Sequence, residues 1–474
     1  MYREYGKRAD YLAPGIYVKQ AKSAYTPIAG VGTSTAGFIG VVKNTIDGGE
    51  RYSIKIEQEK VGTGYGVQGK LRLAALQLAN YPVLEKGQFQ VTVAGKPLTE
   101  KKPRLENKHD QGQSFLLLES DGLIGDVLID YELNSVPQND VKLCTKFSDF
   151  TNDFGGFATK SPGQNILAHA VYGFFYHGGS RCYVVWIDDV NKIDSALTKF
   201  EEIDEIAIVA APGITDGRVL DQIEMHCRKM GDRFAIFDGP KCVDPYSVQC
   251  WPNNDGPKNS DYAALYYPWI KVVNPPNNPK PKRKDWVYAP PSGHIAGIYA
   301  RVDAQRGVHK APANEIVFGA IDLQYKVTKE EQEELNPKGI NCIRYINGQI
   351  RVWGARTLGD ANEEFKYINV RRLFLFLCES IEEGTQWIVF EPNAPDLWAA
   401  IRRNVNVFLN TIWQNGALVG DAPEQAFFVK CDEETNPPDV RDLGQVITQI
   451  GVAIVRPAEF LIFEISHWQS LSST

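Results

Sequence analysis

Apolar and polar positions change rhythm along this chain. Within residues 50–136 they alternate, in runs at 52–56, 89–93 and 127–133. Val127, Ile129, Tyr131 and Leu133 give such a run one dry face and one wet face, the mark of a half-buried strand. Turn residues at Ala94-Gly-Lys-Pro and Asp121-Gly separate the runs. This texture predicts an inserted, mostly antiparallel β domain over residues 50–141, interrupted by one helix near residues 70–79.

From about residue 143 the rhythm becomes that of an α/β protein. A helical stretch over 165–176 leads to a strand at Cys182–Ile187, and a second strand is expected at 205–210. Residues 216–230 have helical texture, and 233–238 form a third strand ending in Gly-Pro. Strand, helix and strand with short connections imply parallel crossovers. Residues 275–284, rich in proline, asparagine and lysine, read as an exposed loop.

The C-terminal part carries the clearest helix. Leu397, Ile401, Val405, Phe408, Leu409 and Ile412 recur at helical spacing, after Asn393-Ala-Pro-Asp as a start and before Gly416 as a stop. Strands are expected at 427–430, around 450–455 and at 459–466. The resulting division is an arm at 1–26, the start of the core at 27–49, the insertion at 50–141, an α/β unit at 142–350, a C-terminal unit at 351–455 and a second arm at 456–474.

Both arms read as strands near a chain end. Pro14, Gly15, Ile16, Tyr17 and Val18 form one; Phe460, Leu461, Ile462, Phe463, Glu464 and Ile465 form the other. A strand in that position carries unpaired backbone groups that must be covered at home or donated to a neighbour. Assembly with other copies is therefore expected. Gly15, Gly30 and Gly32 flank the first arm and are candidate hinges.

Composition narrows the function. The 474 residues contain 43% hydrophobic and 11% aromatic positions, enough for a sizeable core divided into two to four domains. A net charge of −7 gives no reason to expect nucleic acid or an anionic membrane as partner. The longest apolar run, 373–378, is too short to insert in a bilayer, and the first residues lack the apolar stretch of a secretory signal. Synthesis and folding in the cytoplasm are expected. The eight cysteines show no paired or zinc-type spacing and read mainly as small buried hydrophobes.

Several stretches imitate catalytic motifs without completing them. Gly64-Tyr-Gly-Val-Gln-Gly-Lys-Leu71 has the glycine–lysine spacing of a phosphate loop, but Leu71 stands where a hydroxyl is needed. The Gly30–Ala36 stretch lacks the strand and acid of a dinucleotide fingerprint. Ser292 and His294 lie two residues apart, a proximity that does not itself make a triad. Asp238 and Asp303 read as turn or cap residues. No cofactor, metal site or catalytic group is assigned. Arg371-Arg372 and Arg402-Arg403 read as solvated faces or as a basic patch for an acidic partner.

An ordered series of segments resembles the contractile tail sheath proteins of contractile phage tails and phage-like injection particles. It runs through Ala13-Pro-Gly-Ile-Tyr-Val, Ala211-Pro-Gly, Arg233-Phe-Ala-Ile-Phe-Asp-Gly-Pro and Tyr266-Tyr-Pro-Trp-Ile. It continues through Pro291-Ser-Gly-His-Ile-Ala-Gly-Ile-Tyr-Ala-Arg, Trp353-Gly-Ala-Arg-Thr, Tyr367-Ile-Asn-Val-Arg-Arg and Pro457-Ala-Glu-Phe. The series leaves out roughly residues 50–141, the insertion found from texture alone.

The resemblance implies a mixed α/β core flanked by helices, with a β-rich insertion and extended β-arms. It implies a structural subunit, not an enzyme, that stacks with itself as hexameric rings around an inner tube protein. Baseplate and terminal cap proteins are the further partners, and arms are exchanged between neighbours. With the apolar stripe of the C-terminal helix turned inward, Arg402 and Arg403 are candidates to face the tube. Two alternatives stay open: a baseplate or tube component of the same particle, and an α/β enzyme with a β insertion.

Overall fold

The first strand of the core, Ala36–Val41, has no neighbour in sequence to pair with and lies between two strands that come far later. It runs parallel to Cys182–Ile187 on one side and to Ile208–Ala210 on the other. Phe234–Asp238, Ala263–Tyr267 and Ile340–Ile346 extend the parallel set. Lys142–Cys144 and Gln349–Trp353 close the two edges antiparallel, giving an eight-stranded mixed sheet. One sheet thus draws on both segments 27–49 and 142–350, and its last strand runs past residue 350. This computed structural model describes residues 27–42, 45–47, 52–64, 73–78, 89–93, 96–97, 103–108, 113–119, 125–135, 139–157, 161–274, 285–358, 364–460 and 462.

Both faces of this sheet are covered, which is why its strands read as continuous apolar runs. Phe38, Val184, Trp186, Ile208 and Ile236 point to one side, where helices Pro162–Tyr176 and Ser292–Arg306 lie. Ile39, Val185, Val209, Ala235 and Phe237 point to the other, under helices Ile193–Glu201 and Gly217–Met230. The first pair of helices approaches closely through glycine. A Cβ added at Gly293 would lie 2.3 Å from the Ala170 backbone, and one at Gly173 would lie 2.4 Å from the His294 ring.

The insertion is antiparallel throughout its described strands, as its alternation predicts. Tyr52–Gly64 pairs with Gly125–Ser135, which also pairs with Gln90–Val93. One expectation fails. Leu73–Gln77 is a strand paired with Gln113–Glu119, not a helix. Leucine, alanine and glutamine favour a helix locally, but pairing with a distant strand overrides so weak a preference.

The C-terminal unit has its own core. Helices Ile368–Thr385 and Pro395–Gln414 pack Leu373, Leu377, Leu397, Ile401, Val405, Phe408 and Leu409 together with Ile28 of the N-terminal segment. Beside them Phe427–Lys430 and Gln449–Val452 pair antiparallel as a sheet of two strands. The expected N-cap is displaced by one residue. Ala394 occupies the cap, while Asn393 accepts from Trp398 Nε1 at 2.8 Å and donates to Gln445 O at 2.8 Å.

Candidate functional site

The residues that imitated catalytic groups are occupied structurally. Asp238 ends its strand fully buried and accepts from Gly213 N at 2.9 Å, Ser292 N at 2.8 Å and Ser292 Oγ at 2.7 Å. Burial pushes its carboxyl up to about 6 against the pull of these donors. It thereby satisfies the orphan amide at the start of helix Ser292–Arg306. His294 turns away from Ser292 toward His177, with ring centroids 5.3 Å apart. Ser292, His294 and Asp238 do not form a proton relay.

His169, His177 and His294 lie buried close to this helix pair. Burial lowers His169 and His177 to about 4 and His294 well below the ordinary imidazole value. Neutral imidazoles fit the contacts: His177 Nδ1 meets Gly173 O at 2.8 Å, and Phe318 N donates to its Nε2 at 2.8 Å. Among the described residues no group of three or more His, Cys, Asp or Glu is placed to hold a metal. No helix among them is long and apolar enough to cross a membrane. Cys144, Cys182, Cys227, Cys342 and Cys431 are buried, while Cys242 and Cys378 are exposed.

Arg371 and Arg372 are neither solvated nor a basic patch; both are buried. Arg371 pairs with Asp261, and its guanidinium lies 3.6 Å from the centre of the Phe365 ring. Arg372 grips Asp303 through Nη1 at 3.0 Å and Nη2 at 2.6 Å, and also donates to Thr33 O at 2.8 Å. Asp303 is therefore an ion-pair partner in the last turn of helix Ser292–Arg306, its side chain engaged by Arg372 and not as a cap. A doublet of arginines looks the same in sequence whether its partners are solvent or distant carboxylates.

The N-terminal arm, Pro14 to Val18, lies outside the described residues. Its root does not. Ile28 packs into the C-terminal core, and a Cβ on Gly384 would meet it at 2.7 Å. Gly30 lies against Phe376, where an added Cβ would come within 2.8 Å, so close packing and not hinging explains this glycine. Gly32 has open space around it.

Of the C-terminal arm, Phe460 and Ile462 are described, and both are exposed, at 70% and 82%. Leu461, Phe463, Glu464 and Ile465 lie outside the described residues. The stretch just before them is fixed by Glu459, a residue no catalytic or binding motif in the sequence contains. Its carboxylate accepts from Arg356 Nε and Nη2 at 2.8 Å each, from Asn336 Nδ2 at 2.6 Å and from Tyr367 OH at 2.9 Å. Burial alone would raise this carboxyl, but the donors outweigh it and hold it below the usual range. A lone glutamate in Pro-Ala-Glu-Phe offered no signal beyond its place at the base of a strand. Arg356, Glu459 and Phe460 line a cleft of about 1210 Å³.

Arg402 and Arg403 separate. Arg402 is half-buried and donates to Cys431 O; Arg403 is exposed.

The charges read from the sequence as a possible surface patch are largely consumed inside an α/β fold with a mixed eight-stranded sheet flanked by helices. The chain belongs to the phage tail sheath family. Residues 189–358 match the phage tail sheath protein central domain, and residues 360–467 match the phage tail sheath C-terminal domain. It is 28% identical to the tail sheath protein of Vibrio phage KVP40 over 185 residues, 38% of this chain and 26% of that protein. It is 25% identical to a putative prophage major tail sheath protein of Pseudomonas aeruginosa over 231 residues, 48% of this chain and 55% of that protein. The match thus spans a quarter to about half of these curated relatives. The fold matches the helical sheath of the anti-feeding prophage in its contracted state with a TM-score of 0.61 and 25% identity, over 96% of this chain and 98% of that one. The contracted sheath of the extracellular contractile injection system PVC gives a TM-score of 0.61 at 23% identity.

Proposed function

We propose that this chain is the subunit of a contractile sheath, stacking as hexameric rings around an inner tube and shortening to drive that tube through a target envelope. The observation that carries the reading is the nearly full-length likeness to the contracted sheath of the anti-feeding prophage. Baseplate and terminal cap proteins are the further partners, and the insertion at 50–141 decorates the outside. Synthesis and assembly take place in the cytoplasm, and the finished sheath is part of a phage tail or a phage-like particle.

The two-stranded sheet Phe427–Lys430 and Gln449–Val452 supports the same reading. Each strand has one edge without a strand partner within that sheet, and an arm from a neighbouring copy fits such an edge by β-augmentation. Each added backbone hydrogen bond contributes about 0.5–1.5 kcal/mol net. Repeated head-to-tail, contacts of this kind do not close on themselves and generate a helical tube. The extended tube is a trapped state, and a few kcal/mol released per subunit, summed over many copies, drives the stroke without nucleotide.

Negative-stain electron microscopy of the purified chain at rising concentration, with and without the tube protein, tests this. Long ribbed tubes are expected from the whole chain. Removing residues 1–20, or everything after Arg456, should leave folded subunits that form none. Tubes from either truncation would reject the role of that arm. Small closed rings under every condition would favour a baseplate component instead.

A further inference from the structure

We infer that the helix Ile368–Thr385 is a common anchor of both arms, so that part of the tension between neighbouring copies crosses each subunit along this helix. The inference rests on the reading above, in which the arms join one copy to the next.

The N-terminal root runs antiparallel to the helix and is held along most of its length. Ile28 sits against Gly384, Val31 N donates to Ser380 Oγ at 3.1 Å, and Thr33 O accepts from Arg372 at 2.8 Å. The C-terminal root is held at the other end. Asn369 Nδ2 donates to Val455 O at 3.3 Å, and Tyr367, the residue that caps the helix, donates to Glu459 at 2.9 Å.

The arms therefore leave from opposite ends of one rod, roughly 25 Å apart at 1.5 Å per residue. A pull on both arms lies along the rod and loads side-chain bonds spread over its whole length. Among the described residues Glu459 is the last tether of the C-terminal root: four donor contacts end on its carboxylate, and Phe460 and Ile462 are exposed. Glu459 thus ties the C-terminal root to Tyr367 at the start of the helix and to Arg356 and Asn336 beside it.

Single-molecule pulling on the full chain, held by tags at its two ends, tests the force path. Tyr367→Phe, which removes only the bond from the helix cap to Glu459, and Ser380→Ala should each speed the first rupture at constant force about tenfold, as expected for one lost bond. Ile236→Val removes a methylene from the middle of the sheet, where Ile236 is buried. It should lower the thermal midpoint yet leave first rupture within about twofold of the parent. Equal acceleration by Ile236→Val, or none by the other two, would overturn the inference. Electron microscopy of the parent chain separates the two failures. Parent tubes with rupture in the sheet reject the helix as anchor; absence of parent tubes rejects the sheath reading, and with it the helix's place between copies.

Discussion

Arg372 and Asp303 face each other at 2.6 Å with only 4% and 6% of their side chains exposed, joining two helices that are 69 positions apart in sequence. Thr33 completes the node: its hydroxyl donates to Asp303 at 2.7 Å while its carbonyl accepts from Arg372. Burial works against the arginine's charge, and the adjoining carboxylate more than compensates, holding the guanidinium above its ordinary value.

Breaking that pair from one side should be costly. Arg372→Met strands the Asp303 carboxylate and is expected to lower unfolding free energy by about 3–5 kcal/mol. The double variant Arg372→Met with Asp303→Leu should recover much of the loss, because no buried charge remains. Urea midpoints of the two variants decide it. A single variant within about 0.5 kcal/mol of the parent would show that water reaches the node.

Acid should weaken the subunit through its buried imidazoles. His169 and His177 have folded values of about 4, and burial holds His294 well below the ordinary 6.5 of the unfolded chain. Between pH 6.5 and about 4 the unfolded chain takes up protons that the folded core refuses. The stability these groups allow is thus present above pH 6.5 and lost as pH falls through that window. Arg301, beside His177, reinforces the direction. Asp238 opposes it: with a folded value raised to about 6, it favours the folded state as pH drops below that point. His226, lowered to about 4 by burial and Arg233, adds to the loss, while Glu379, pushed up to about 8 by burial, joins Asp238 against it; the imidazoles outnumber these carboxyls and predict a net loss. Denaturation midpoints measured from pH 7 to pH 4 should fall, and His177→Gln, which cannot protonate, should shallow the slope. A flat profile would count against dry imidazoles.

The two arginines of the C-terminal helix should behave differently. Arg402 is tied to Cys431 O, so Arg402→Glu is expected to reduce subunit stability. Arg403 is exposed, and Arg403→Glu should leave stability within about 0.5 kcal/mol. If Arg403 faces the tube, that variant should still self-assemble but co-sediment less with tube protein. Undiminished tube binding would remove Arg403 from that surface.

These residues also show what was legible in the chain. The stripe Leu397, Ile401, Val405, Phe408 and Leu409 could be read directly, because helical spacing and burial are one pattern. Cys182–Ile187 and, in the insertion, Tyr52–Gly64, Gln90–Val93 and Gly125–Ser135 could be read from their apolar pattern, whereas Arg104–Lys108 and Gln113–Glu119 could not. The partners of Arg371, Arg372 and Glu459 could not. Each lies far along the chain, and nothing local distinguishes a buried pair from a solvated charge. The strand Leu73–Gln77 was hidden differently, since its residues favour a helix until Gln113–Glu119 is present to pair with them.

The place of Ala36–Val41 in the sheet has a consequence for birth on the ribosome. The strand is made early, yet its two partners begin only at Cys182 and Ile208. At about 5–20 residues per second, an apolar segment waits on the order of ten seconds before anything can pair with it. The chain emerging meanwhile carries Tyr52–Gly64 and Gly125–Ser135, which need only each other. Folding can therefore start within the insertion, while the earliest described strand waits for Cys182–Ile187 before it can join the sheet.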